Sequence, residues 1–405
     1  MASSSSSPLS RQSVTAAVAQ LYNTYPFPPE PLLDEPPPGY NWRWHWTAAH
    51  AFCTGRSPDR QAIRVLDAGC GTGVGTEYIA HLNPQAKITG IDLSDRALET
   101  ARNRCQRSGA QNVRFQTLSI YDVGQLEGTF DWINCVGVLH HMPDPQAGIQ
   151  ALATKLAPGG LLHIFVYAAL GRWEISLMQE AIGLLQGERR GDYTDGVQVG
   201  RQIFAHLPET NRLRRREEER WSLENHRDAN FADMYVHPQE VDYTVNTLFE
   251  LIDASGLMFL GFSNPRYWDL SRLIGSQPDL MARSAVLSQH QRYRLVELLD
   301  PEITHYEFFL AKPPLDRLDW SDDGQLRQAR VQRHPCMQGW PSQSIFDYDY
   351  QMVDLTAAEF QSLTYCDQAE SAPTVAELVA ATELDLGEVR SLQQRQLIVL
   401  TAPTA

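Results

Sequence analysis

From Ile63 onward, short apolar runs alternate with helical periods, which predicts β-α-β units and a parallel sheet. The expected strands are 63–66, 87–91, 112–117, 130–136 and 160–166, with two more at 259–264 and 304–310. Ahead of them, residues 11–22 read as a short helix. The proline-rich stretch 26–38 must be extended, because proline removes an amide donor and fixes φ. An aromatic block follows at 40–46. After Tyr167 the rhythm breaks into a helix-like, charged stretch, about 170–246, read as a cap inserted over the sheet edge where ligands bind; a helix at 247–255 resumes the pattern.

Lys312-Pro313-Pro314 stops regular structure, so the sheet domain is expected to span 63–313 and a linker 314–344. Beyond it, 356–363 reads as a helix, and Thr374 with Glu377 and Asp385 with Glu388 have capping-box spacing. Residues 397–401 read as a strand. Helix, helix, helix, strand predicts a small winged-helix-like module over 345–405. Residues 1–62 make an N-terminal helix and aromatic lid, with 1–7 a frayed tail.

Composition narrows the function classes. A hydrophobic content of 43% in 405 residues is ordinary for a globular protein, and no apolar run approaches the roughly 18 residues that span a bilayer. Six scattered cysteines without C-x-x-C spacing argue against a zinc site or a disulfide framework, so no metal is expected and the compartment is expected to be cytoplasmic. A net charge of −15 disfavours nucleic acid as a partner. The Arg212, Arg214, Arg215 and Arg216 cluster runs straight into Glu217, Glu218 and Glu219 and reads as a solvated helix. Residues 346–405 hold ten Asp/Glu against Arg390 and Arg395, which is wrong for phosphate contact and fits protein docking or structural support.

The chemistry centres on Val65-Leu66-Asp67-Ala68-Gly69-Cys70-Gly71-Thr72-Gly73, an apolar strand entering a glycine-rich turn and then a helix. Glycines at 69, 71 and 73 allow a tight turn and close approach of a ligand. About 20 residues on, the second strand ends in Asp92, whose carboxylate can accept hydrogen bonds from both hydroxyls of a ribose. Ser119 and Ile120 follow the third strand, and His140 and His141 follow the fourth at its carboxyl end. A dinucleotide G-x-G-x-x-G would need a glycine at 76, which is Thr76.

The run 65–73, Asp92, Phe130-Asp131, Leu-His-His-Met-Pro-Asp at 139–144 and Ala-Pro-Gly-Gly at 157–160 resemble the class I S-adenosylmethionine-dependent methyltransferases, across roughly residues 60–170. The resemblance implies a doubly wound, seven-stranded Rossmann-like α/β sheet with S-adenosylmethionine as cofactor. By it, Asp67, Gly69, Cys70, Gly71 and Gly73 cradle the methionine part, Asp92 the ribose, and Ser119 and Ile120 the adenine; Leu93, Cys135 and Tyr22 complete the candidate cofactor set.

Candidates for handling an acceptor proton are His141 and, less favoured, His140; each can equally be a packed structural histidine. The insertion adds Asn225, His226 and Tyr235 within a polar set that includes Asp233 and His237, a composition that suits an acceptor pocket or a solvated cap surface. Trp42, Trp44, His45 and Trp46, with Tyr22 and Tyr25, form either a lid over the cofactor cation or a cover for the sheet.

The Tyr22-Asn-Thr-Tyr25-Pro-Phe-Pro-Pro segment, the 41–46 run, the 224–235 stretch and the acidic tail resemble a cyanobacterial group that includes phycobiliprotein asparagine methyltransferases. That resemblance implies N-methylation of an asparagine amide on a light-harvesting β subunit, a protein partner. Enzymes that methylate protein glutamine amides often present Asn-Pro-Pro-Tyr after strand four; here the residues are Cys135-Val136-Gly137-Val138, so an amide must be polarised differently. A competing reading is a small-molecule enzyme, because 139–144 is similar to quinone and other small-molecule methyltransferases. A third is a non-catalytic cofactor-binding scaffold.

Overall fold

The computed structural model describes residues 10–337 and 342–402, so the tail at 1–7 lies outside the described residues. Seven strands form one sheet: β1 (Arg64–Ala68), β2 (Lys87–Asp92), β3 (Val113–Thr117), β4 (Phe130–Val136), β5 (Leu156–Tyr167), β6 (Met258–Phe262) and β7 (His305–Ala311). Their order is β3-β2-β1-β4-β5-β7-β6. β1 to β5 pair in parallel, whereas β7 runs antiparallel to both β5 and β6. The otherwise parallel sheet therefore carries one reversed strand. The order reverses between β1 and β4, which opens a crevice beyond their carboxyl ends.

Alternate residues of each strand enter opposite cores, as a two-residue period requires of a sheet covered on both faces. Leu66, Ile133, Leu162 and Phe308 fill one core with the helices Pro145–Lys155 and Val245–Ser255. Val65, Trp132, Leu161 and Phe309 fill the other, against Trp42 and Trp46 of the aromatic block.

The helix Arg11–Thr24 is capped by Ser10, whose side chain accepts from the Ser13 amide. The proline-rich segment after it docks through its carbonyls, the groups proline retains. Phe27 O accepts from Thr72 N at 3.0 Å and Pro28 O from Thr72 Oγ1 at 2.6 Å. Arg104 donates to Glu30 O at 2.7 Å and Pro31 O at 2.9 Å. The cap is helical, with Trp173–Gln186, Tyr193–His206 and Asp228–Tyr235 around a core of their own. Arg214 pairs with Glu218 one turn on, while Arg216 and Arg220 reach Glu302 across to the sheet domain.

The 314–344 linker is a correction. A helix, Asp323–Gln328, and β8 (Arg330–Arg333) lie within it, and β8 pairs antiparallel with β11 (Ile398–Thr401). Trp320, Leu326 and Val331 are buried with Leu363, Leu378 and Leu392 in a third core. A four-residue strand is stable only once a partner and a buried face exist, and the partner lies some 65 residues away, so local pattern did not reveal it. A hairpin of β9 (Ser344–Phe346) and β10 (Met352–Asp354) precedes the helices Ala357–Gln368, Val375–Ala381 and Leu386–Gln394, each with a capping box. Among the described residues, no helix is long and apolar enough to cross a membrane.

Candidate functional site

β1 ends in a turn that touches its surroundings on both sides. At Gly69 (φ 77°) a Cβ would lie 2.4 Å from Val138 Cγ2, and at Gly71 (φ 52°) 2.4 Å from the Phe27 carbonyl oxygen. The loop after β4 and the N-terminal strap therefore close on the turn only because no side chain stands there. The Gly69 and Cys70 amides donate to Ile91 O at 2.8 and 2.9 Å, which ties the turn to the end of β2.

Over this turn lies a cavity of about 390 Å³. Of the sequence-derived cofactor candidates, Tyr22, Asp67, Gly69, Cys70, Gly71, Asp92, Leu93, Ser119 and Ile120 line it, and so does His141. Asp67 is buried; its Oδ2 accepts from Thr76 Oγ1 at 2.5 Å and its Oδ1 from Asn134 Nδ2 at 2.8 Å. Burial pushes its carboxyl up, and these two bonds only partly offset that. Both partners are neutral, so the site holds a buried acid suited to a cation, as the sulfonium and ammonium of S-adenosylmethionine require. Asp92 Oδ2 accepts from Gly71 N and Oδ1 from Ser94 N, each at 2.9 Å. Each oxygen keeps a lone pair for a ribose hydroxyl. Burial raises this acid too, against the bonds from Ser94 and Gly71.

The helix Arg11–Thr24 closes the cavity with Thr15, Val18 and Tyr22. It is fastened by Arg11 to Asp144, by Ser94 Oγ to Asn23 Oδ1 at 2.7 Å and by Tyr22 to Asp233 at 2.9 Å. Of the aromatic block only Trp44 reaches the cavity, where Nε1 donates to Asn134 Oδ1 at 3.2 Å. Trp42 and Trp46 pack on the sheet instead, Trp46 against Trp132.

Several candidates lie elsewhere. Gly73 (φ 81°) starts the helix Val74–Leu82 and faces Ala101 rather than the cavity. Cys135 points into the core with Leu66 and Leu162, because the two-residue period of β4 turns Asn134 and Val136 toward the ligand side. His140 is fully buried and stacked on Tyr167 at 3.8 Å, behind the cavity wall. Asn225 donates to Glu217 at 3.1 Å and Tyr235 OH to the same carboxylate at 2.5 Å, so both belong to the interior of the cap. His226 is exposed and bonds the Leu223 carbonyl. The 224–235 stretch is amphipathic, and its polar density serves helix packing, save for Asp233.

Phe165, Tyr167 and Asn134 are cavity residues outside the expected site, and Asp233, expected within the polar set of the cap, joins them. Phe165 and Tyr167 had a usable signal, since alternate residues at the carboxyl end of a central strand face the ligand. Burial raises Asp233 to about 6, against the Tyr22 hydroxyl, Arg172 and the Tyr167 hydroxyl, which favour its ionised form. His141 stacks on His237 at 3.6 Å, and its Nδ1 meets the Gln239 carbonyl at 3.0 Å. Burial pushes it down to about 3, so it is neutral at physiological pH.

A buried polar row crosses the sheet beneath the cavity. The pairing register places Asp67, Asn134 and His163 side by side on β1, β4 and β5. Beyond Asp67–Asn134, His163 Nδ1 meets Asn134 Oδ1 at 2.9 Å and Nε2 meets Glu307 Oε1 at 3.1 Å. Arg43 joins Glu307 at 2.7 Å to Asp349 of the β9–β10 hairpin at 2.9 Å. Burial alone would raise Glu307, but Arg43 and His163 hold it down at about 2.

This fold and this donor set define an S-adenosylmethionine-dependent methyltransferase. A family described as "Methyltransferase domain" matches residues 66–162, and the chain belongs to the class I methyltransferases. It is 62% identical over 390 residues to an uncharacterized Synechococcus sp. protein, spanning 96% of this chain and 94% of that one. It is 70% identical over 94 residues to the uncharacterized phycocyanin operon protein W of Pseudanabaena tenuis, 23% of this chain and 89% of that one. The Rickettsia typhi PKMT2 structure in complex with AdoHcy shares the fold, with a TM-score of 0.61 at 17% identity over 90% of this chain and 77% of that one.

Proposed function

We propose that the chain methylates a protein side-chain nitrogen, the amide of an asparagine in a phycobiliprotein β subunit. The observation that carries this reading is the 70% identity to a phycocyanin operon protein across 89% of its length. The cavity supports it: about 390 Å³ is near the lower end of the roughly 300–1,000 Å³ of ligand sites, so beside a nucleoside-sized cofactor it admits a side-chain tip more readily than a prenylated ring.

S-adenosylmethionine supplies a methyl on a sulfonium whose departure leaves a neutral thioether. An amide nitrogen is a weak nucleophile, so alignment and exclusion of water are what the chain must provide. The Arg11–Thr24 helix and the Phe27–Pro28 strap cover the cavity, while Asp67 and Asp92 hold the two ends of the cofactor's aminoacyl-ribosyl part. The test is transfer from labelled S-adenosylmethionine into cyanobacterial lysate, separated into protein and small-molecule fractions. Label in a phycobiliprotein β band, absent with Asp67→Ala, is the expected outcome. Label confined to the extractable fraction would replace this reading with a small-molecule one.

A further inference from the structure

We propose that Asp233, held by the Tyr22 hydroxyl beside Tyr167, is the acceptor subsite and takes the proton that an acceptor amide releases on methylation. The amide as acceptor class rests on the function proposed above; the proton-accepting role of Asp233 does not.

Three elements distant in sequence build this corner: the N-terminal helix brings Tyr22, the end of β5 brings Tyr167, and the cap helix Asp228–Tyr235 brings Asp233. All three line the cofactor cavity. Asp233 is 6% exposed, and its Oδ1 accepts from Tyr22 OH at 2.9 Å. Two other acids line the cavity, and both already hold two hydrogen bonds: Asp67 from Thr76 and Asn134, Asp92 from the Gly71 and Ser94 amides. Asp233 comes from the cap, and the Tyr22 phenol is its bonded partner. The cation that acts on it, Arg172, is engaged by Glu240 at 3.1 Å and lies over the Tyr167 ring at 3.4 Å.

The corner offers acceptors for the N–H groups of a primary amide. Such an amide offers N–H donors and one carbonyl acceptor. The Asp233 carboxylate accepts one N–H, and His141, which lines the same cavity with its Nδ1 bonded to the Gln239 carbonyl, keeps Nε2 as an acceptor for the other. In the transfer the amide nitrogen gains the methyl carbon, the carbon–sulfur bond breaks with its electron pair left on sulfur, and one N–H proton passes to the Asp233 carboxylate. The sulfonium's positive charge and the carboxylate's negative charge disappear together, and a neutral N-methylamide is left.

The acid is tuned for this. Burial raises Asp233 to about 6, so it is ionised at neutral pH yet close enough to take a proton efficiently. The groups facing it are Tyr22, Tyr167, Arg172, Glu240, His141 and His237. Burial keeps both histidines neutral, which leaves the carboxylate as the base.

The experiment compares the full-length enzyme with Asp233→Asn and Tyr22→Phe. Transfer is measured from pH 5 to 9 on unmethylated phycobiliprotein β subunit and on a small-molecule extract, with calorimetric affinity for S-adenosylhomocysteine alongside. Wild type should lose rate below about pH 6. Asp233→Asn should lower kcat by about 100-fold or more and leave S-adenosylhomocysteine affinity within about threefold. Tyr22→Phe removes a bond that favours the carboxylate, so its acid limb should move to higher pH. A third readout needs no acceptor. The folded acid is raised above the unfolded value of about 3.9, so its stabilising contribution is complete at lower pH and fades as pH rises through about 6. The melting temperature of Asp233→Asn should therefore gain on wild type between pH 4 and 7.

Transfer by Asp233→Asn within about tenfold of wild type, loss of S-adenosylhomocysteine affinity in step with rate, or a melting difference flat in pH would each overturn the proposal. Label only in the small-molecule extract would sink the amide reading, and the same variants assayed on that extract would then decide the role of Asp233 by itself.

Discussion

Asp67 and Asp92 show how a carboxylate is kept in a nearly dry site without a permanent cation. Each is raised by burial and partly restored by hydrogen bonds, so each gains from a ligand that brings positive charge or hydroxyl donors. Loss of hydrogen bonds to a charged acceptor costs about 1.5–3 kcal/mol, so Asp92→Ala is expected to weaken S-adenosylmethionine binding more than about tenfold. Calorimetry showing unchanged affinity would sink the ribose assignment. Because both acids protonate above the ordinary carboxylate range, cofactor affinity should fall on acidification earlier than two exposed carboxylates would produce. The raised direction also means that the empty protein is relatively stabilised in acid and gives up that contribution as pH rises through these values.

The glycine-rich turn is where one element decides the geometry of several others. Its three positive φ angles let the strap, the loop after β4 and the following helix converge within a few ångströms. Gly73 sits outside the cavity, yet an added Cβ would stand 2.7 Å from Ala101 Cβ and 2.9 Å from its Cα. Gly73→Ala combines that clash with a left-handed backbone and should destabilise the protein by about 2–3 kcal/mol in urea titration. Stability unchanged within error would mean that the two helices can part freely. The same scale explains why β4 is read so cleanly: its alternation sends Trp132 and Asn134 to one face and Ile133 and Cys135 to the other.

Across the whole molecule, the polar row links the cofactor turn to the C-terminal module. Arg43 is its junction, with carboxylates of the sheet and of the β9–β10 hairpin on one guanidinium. Tyr40 stacks on Tyr350 at 4.6 Å, Ser57 N donates to Leu400 O at 2.6 Å, and Leu318 N donates to Thr54 O at 2.8 Å. The module is thus sewn to the aromatic block and to the residues that follow it, as far as Ser57. Arg43→Ala leaves Glu307 and Asp349 largely buried without their cation, and a loss of about 3 kcal/mol is expected by denaturant unfolding followed through tryptophan fluorescence. A loss below about 0.5 kcal/mol would show that the pair is screened as an exposed one is.

The sequence by itself determined the strands, the turn, its acids and the capped C-terminal helices, because each is set by local periods, glycine positions or a side chain three residues from its partner. It misplaced what depends on partners far along the chain. Cys135, expected in the cofactor set, lies on the face of β4 that packs into the core. Asn225 and Tyr235 carried polar atoms that tertiary structure spends on Glu217 inside the cap. β8 exists through pairing with a strand some 65 residues on, and β7, expected as a strand, takes its reversed direction from its place between β5 and β6. Asp233 and Tyr22 lie 211 residues apart and meet only when the cap and the N-terminal helix close over the same cavity. Local physics wrote the glycine-rich turn and its acids; chain-wide packing assembled the cavity corner where the acceptor subsite is proposed.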